Sequence, residues 1–258
     1  MNTALASSNT NTNPDSLHPA NLKTKYTKSI DKTGWLRIKL EPSGSSAYLC
    51  EFVKVSILKE EDRTQFIILE GMHKGKTASL AKDNASKCLV DANRGNGSKI
   101  IVKVGVRKMW VSKPRHNEVN NQLTATLYFN NEKAIITLDS DVFYTETNPQ
   151  SRNYQHIIHS KPLPEGTYKI MVPEVPKDSH MTSFYATSPS GYPDLKYHTV
   201  WFPIENPDTQ NSNFVHVGNL SEGCVTVYEL KMWNPLYEYL ISNRLDSEAK
   251  YVGIIKIE

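Results

Sequence analysis

"LTATLYFNNEKAIITLDS", residues 123–140, holds two runs of alternating apolar and polar side chains joined at Asn130-Asn131. Alternation with a period of two puts the apolar residues on one face of an extended chain. Paired asparagines tolerate the positive φ that a two-residue hairpin turn demands. The stretch predicts a β-hairpin, and similar signals recur on both sides of it. Upstream lie "WLRIKLEP" (35–42), "AYLCEFVKVSIL" (47–58), "TQFIILEGM" (64–72) and "KIIVKVGVRKMWV" (99–111). Downstream lie "EGTYKIMVP" (165–173), "TSFYATS" (182–188), "YHTVWFPI" (197–204), "FVHVG" (214–218) and a closing "KYVGIIKIE". Each is a short β-branched or aromatic run bounded by Pro, Gly, Ser or charge, which reads as a strand. A short helix is expected near 78–92, closed by Gly95 and Gly97. A stronger one is expected over "NPLYEYLISNRL" (234–245), where Asn234 suits the cap, Pro235 the first position, and Leu236, Tyr239, Leu240 and Leu245 recur at helical spacing. The expected class is mainly β with one or two helices and no internal repeat.

Punctuation divides the chain further. Residues 1–32 are rich in Asn, Ser and Thr and read as a disordered tail or linker. The polar, proline-bearing "SKPRHNEVNNQ" (112–122) reads as a boundary. It separates a smaller β-rich N-terminal domain, residues 33–113, from a second domain, residues 120–258. The first of these carries no motif tied to chemistry. "GMHKGKTASL" has its glycines one residue too close for a phosphate-binding loop.

Composition excludes several classes. With 30 basic and 27 acidic residues the charge is nearly balanced, and no Lys/Arg cluster interleaves with aromatics, so no nucleic-acid partner is expected. No apolar run is long enough for a membrane span. The N-terminus has neither the charged nor the apolar region of a Sec signal, so the chain is expected in the producing cytoplasm, with any export by another route. Three cysteines do not make a disulfide framework. Cys50 sits in an apolar strand pattern and Cys88 in a segment suited to packing.

Cys224 differs from both. It follows the polar loop Gly218, Asn219, Ser221, Glu222 and Gly223, a context that suits a reactive thiol. A catalytic thiol needs a base and an oxyanion donor. All eight histidines precede Cys224. This order excludes, for Cys224, the papain-like and related cell-wall peptidases, which place the nucleophile first. His216, on "FVHV", is the nearest base. If its strand pairs antiparallel with "CVTV", the ring faces the thiol and forms an ion pair with it. His198 is the second choice. Gly223 permits a tight turn, its N–H and that of Cys224 suit an oxyanion, and Ser221 suits a loop-orienting role. His156 and His159 have an H-x-x-H spacing but lack a third ligand at a recognisable spacing, so no metal is expected. His159 reads as a cleft residue, and Tyr185, Tyr192, Tyr197 and Trp201 as a cleft wall or as core.

These residues resemble a known family. "HVGNLSEGCVTV" looks like the signature of the YkuD-type L,D-transpeptidases: a histidine, a variable loop, then Ser-x-Gly-Cys. "KPLPEGTYKIMVP" resembles the family's Thr-Pro-x-Gly-x-Phe-x-Ile element, "ATLYFNNEKAIIT" its opening hairpin, and "MWNPLYEYLI…YVGIIKI" its closing helix and strand. The likeness covers roughly residues 120–258. It is closer to the subgroup delivered by type VI secretion, through "PLPEGTY", "VWFPI", "NFVHVG" and "SEGCVTV". Glu222 and Thr226 stand where housekeeping members have His and Arg, and the His-to-Cys gap is short. The resemblance implies a β-sandwich with Cys224, His216, Ser221, Gly223 and Gly218 in the thiol loop, and His159, His198, Tyr197 and Trp201 at the cleft. It implies a peptidoglycan stem-peptide substrate, no cofactor, and an antibacterial toxin acting in a target periplasm. A secretion carrier and an immunity protein are the further expected partners. The alternatives are an inactive cell-wall-binding module and a structural protein of a secretion or phage apparatus.

Overall fold

The computed structural model describes residues 23–159, 161–245, 247 and 249–258, so 1–22 of the expected tail lie outside the described residues. The architecture is mainly β, with two α-helices among the described residues. The first sheet contains β1 (Thr24–Thr27), β2 (Trp35–Leu40), β3 (Ser46–Cys50), β4 (Lys54–Glu60), β5 (Arg63–Ile68), β6 (Thr77–Ala81) and β7 (Leu89–Val90). Its strands run in the order β3-β2-β6-β5-β4-β1-β7. The short helix α1 (Lys82–Cys88) precedes β7 and ends at extended Leu89, before the expected Gly95.

The second sheet contains β8 (Ser98–Lys113), β9 (Glu118–Phe129) and β10 (Glu132–Ser140). After a two-stranded ribbon of β11 (Tyr144–Thr145) and β12 (Ile157–Ile158), it adds β13 (Gly166–Met171), β14 (Phe202–Pro203), β15 (Phe214–Val217), β16 (Val225–Val227) and β17 (Tyr251–Ile257). The order is β13-β17-β8-β9-β10-β16-β15-β14. A bridge between Ile170 and Ile204 joins the two outer strands, so this sheet curls until its edges meet.

The opening hairpin forms as read. Asn130 and Asn131 both take positive φ, 42° and 64°, and Glu132 pairs with Phe129. Leu127, Phe129, Ala134 and Ile136 point inward and are buried, while Tyr128 and Ile135 point out.

Other expectations change. The 112–122 stretch is not a boundary: β8 and β9 continue pairing through it, Trp110 with Asn120 and Val111 with Val119, around a short turn at Pro114–His116. The break between the sheets falls at 91–97, because the apolar pattern of 98–113 is completed only by β17 and β9. Residues 24–27, placed in the tail, pair with β4 and β7. "AYLCEFVKVSIL" is two strands, broken where Phe52 adopts φ 60°. "TSFYATS" forms a 3-10 turn, Ser183–Ala186.

The second helix, α2 (Trp233–Ser242), buries Trp233, Leu236, Tyr237, Leu240 and Ile241. Asn234 does not cap it. Its side chain accepts from Lys196 N–H at 2.9 Å and donates to the Asp194 carbonyl at 2.8 Å, tethering the preceding loop. Apolar side chains of both sheets and of α2 join one core. Between the sheets Tyr237 donates to Glu51 at 3.1 Å, and Trp35 Nε1 donates to Thr199 at 3.2 Å. Below them lies a buried ionic cluster. Glu70 accepts from Arg94 at 2.7 and 2.8 Å and from Arg244 at 3.2 Å.

Candidate active site

β15 and β16 pair parallel, not antiparallel, because the 218–224 connection crosses over instead of turning back. His216 therefore sits opposite Thr226. Carried one step back, the same register sets Cys224 beside Phe214, whose backbone N–H points at the thiol. Thiol and imidazole share a sheet face but stand diagonally, two residues out of register and not directly opposite. The ring is held elsewhere. Nδ1 donates to the Val217 carbonyl at 2.9 Å, which leaves Nε2 as the acceptor for the Thr226 hydroxyl at 3.1 Å. Trp201 stacks on the imidazole at 4.0 Å and 15°.

Burial governs the charges here. It lowers the His216 pKa to about 4 and raises that of Cys224 to about 11, since neither group has a buried opposite charge to compensate. At neutral pH the pair is a thiol and a neutral imidazole, not the ion pair expected. For the imidazole to take the thiol proton, its Nε2 must first exchange the Thr226 hydroxyl for the thiol.

The loop is tightly fixed. Ser221, fully buried, donates to the Cys224 carbonyl at 2.6 Å, and its own carbonyl accepts from Ser140 at 2.7 Å. Gly223 has φ 94°, and a Cβ there would lie 2.6 Å from the Lys161 carbonyl, so no other residue fits. Gly218 passes close to the Tyr185 hydroxyl, which accepts from Asn219 N–H at 3.1 Å. Asn213, not singled out from the sequence, is buried and donates to the Gly223 carbonyl at 2.8 Å. Holding that oxygen turns the Cys224 N–H, trans across the same peptide, away from Asn213.

The remaining site residues divide. Trp201 lines a cleft of about 480 Å³ between the sheets, together with Phe214, Met171, Glu174, Lys177 and Gly71. Tyr197 is core: it is buried, stacks on Tyr237 at 3.9 Å and has its pKa raised to about 12, chiefly by burial. His198 hydrogen-bonds through Nδ1 to the Thr182 hydroxyl at 3.0 Å, and its carbonyl accepts from the same hydroxyl at 2.9 Å. Burial lowers its pKa. His159 lies over the opposite side of the loop, bonded at 3.1 Å to both Asp139 and the Ser140 carbonyl. Asp139, Asp141 and His159 offer ligand atoms within 4.8 Å of one another, and Arg107 ion-pairs with both carboxylates.

Sequence reading missed Asn213, Lys177 and Asp139. Only Asn213 left a signal, as a polar residue opening the apolar run that carries His216. Among the described residues, no helix is long and apolar enough to cross a membrane. No family model matches this chain, and no curated protein or solved structure matches it either.

Proposed function

We propose that the protein is a cysteine acyltransferase of the YkuD-type L,D-transpeptidase kind, processing peptidoglycan stem peptides. The observation that carries this reading is the placement of Cys224 and His216 on one face of adjacent strands, with the thiol loop pinned by Ser221 and Asn213, and with Phe214 and Trp201, which meet the thiol and the imidazole, lining the cleft. Cys224 Sγ attacks the carbonyl between an L-centre and a D-residue. The S–C bond forms as the C–N bond breaks, and the thiol proton passes through His216 to the departing amine. Water then hydrolyses the thioester and restores the thiol, giving carboxypeptidase action. An amine in place of water gives exchange or a crosslink. The role is that of an interbacterial toxin acting in a target periplasm, with the first sheet as one wall of the cleft.

Mass analysis of muropeptides tests the reading. Wild-type protein should shorten a tetrapeptide stem, and Cys224→Ser and His216→Ala should each bring processing to background, whereas His198→Ala should leave it unchanged. Full activity in Cys224→Ser would remove the thiol from the reaction. A Sec-fused wild-type chain should arrest growth and a Sec-fused Cys224→Ser chain should not.

A second reading is favoured by one observation: Thr226 already occupies His216 Nε2. In that case the domain binds wall peptides without cutting them, and stems bind but are recovered intact.

A further inference from the structure

Lys177 lies in "PEVPKD", outside every motif above. Its backbone N–H bonds to Thr199, and its ammonium stands over two rings, 4.2 Å from the centre of Phe214 and 5.5 Å from that of Trp201. Those two residues flank the site. Trp201 covers His216, and Phe214 supplies the N–H that meets Cys224. The charge of Lys177 accordingly acts on both the thiol and the imidazole. Among the described residues, no carboxylate pairs with it.

The other charges of the cleft are committed or balanced. Glu70 is taken by Arg94 and Arg244, and Lys250 by Glu205 at 2.8 Å. Lys74 and Glu174 contribute one charge of each sign. Beside the thiol two charges act with opposite sign: the exposed Glu222 carboxylate, the stronger on Cys224, and the half-buried Lys177 ammonium on its aromatic floor. Such a cation favours a compact anion entering the cleft.

We propose that Lys177 is an anion site beside Cys224 that holds the carboxylate of a carboxy-terminal leaving residue. In a peptide, that carboxylate lies one residue beyond the scissile carbonyl, roughly 3.8 Å along the chain. An internal peptide offers only a neutral amide there. The protein would then act from the carboxy terminus of its substrate and discriminate against internal bonds. The peptide part rests on the acyl-transfer reading, whereas the anion site does not.

Two measurements separate them. First, Cys224 is alkylated at pH 9 with iodoacetate or with neutral iodoacetamide, and labelling is followed by peptide mapping. In both cases sulfur displaces iodide, so the ratio of rates cancels changes in thiol pKa and exposure. The iodoacetate-to-iodoacetamide ratio should fall about fivefold in Lys177→Met and be kept in Lys177→Arg, the size expected for one nearby charge in water. An unchanged ratio in Lys177→Met overturns the anion site. Second, a tetrapeptide stem is compared with its carboxy-terminal amide. The wild type should prefer the free acid, and Lys177→Met should lose that preference through KM while kcat stays near its wild-type value. Equal use of acid and amide by the wild type overturns the carboxylate role and leaves acyl transfer standing. A shifted alkylation ratio with no stem processing by any variant keeps the anion site and removes the acyl-transfer reading.

Discussion

Two buried polar regions of this molecule solve the same physical problem in opposite ways. Between the sheets, Arg244 and Arg94 are buried as charges because Glu70 faces both and because the carbonyls of Glu51 and Phe52 each accept one further donor, from Arg244 and Arg94 respectively. At the edge of the second sheet, His216 and Cys224 are also withdrawn from water, but no opposite charge is buried with them, and both stay neutral. Ions removed from water need partners, and groups that lack them give up their charge. The first arrangement locks one sheet to the other. The second leaves the proton on sulfur and the imidazole uncharged.

The largest effect should come from breaking the lock. Arg244→Met leaves Glu70 with one cation and strips donors from the Glu51 and Ala249 carbonyls. Removing one partner from a buried ion cluster costs about 3–5 kcal/mol. Urea unfolding should show that loss, against under about 0.5 kcal/mol for the exposed Arg37→Met. A cost below about 1 kcal/mol in Arg244→Met would mean the cluster does not hold the sheets together.

Acid should expose the other region. The folded state holds His216 near 4 and the unfolded chain near its ordinary value of 6.5. Between those values the unfolded state binds more protons, so stability is complete above about pH 6.5 and falls as pH drops toward 4, by about 3 kcal/mol. His216→Gln should flatten that part of the stability curve. Cys224 gives the matching alkaline sign: its labelling by iodoacetamide should be slow at pH 8 and keep rising toward pH 11. Rapid labelling at pH 7, with a plateau, would show an ion pair and dissolve the contrast.

The smallest effect should come from Thr226→Val. It removes the hydroxyl from His216 Nε2 at a cost of about 1 kcal/mol in unfolding free energy. If Thr226 restrains the base, stem processing should rise in this variant. If Thr226 orients the base, processing should fall.

Much of the site was legible because its residues lie close together in sequence. His216, Gly218, Ser221, Gly223 and Cys224 fall within nine positions of chain (216 to 224), and a polar loop between two apolar runs marks them. Their relation was not legible. Parallel and antiparallel pairing of "FVHV" with "CVTV" leave the same sequence pattern, and only the path of the connecting loop chose the parallel form. Tyr197 and Trp201, four positions apart, carry the same kind of aromatic signal. The fold sends one into the core against Tyr237 and the other onto His216.

By itself the sequence determined the mainly β class and some of the local elements, the 123–140 hairpin first among them. Period-two alternation and the Asn130-Asn131 turn are properties of neighbouring residues and needed nothing else to be read, whereas of the face expected for α2 only Leu236 and Leu240 are buried, with Trp233, Tyr237 and Ile241 in place of Tyr239 and Leu245. The tertiary structure alone decided where one sheet ends and the next begins, since the break at 91–97 depends on β8 finding β17 some 150 residues away, from Ser98 to Gly253. It also decided that Asn213 grips Gly223, that Lys177 stands over Phe214, and that the thiol and imidazole are neutral. Each of these depends on which distant groups share a volume from which water is excluded, and local sequence patterns do not record that.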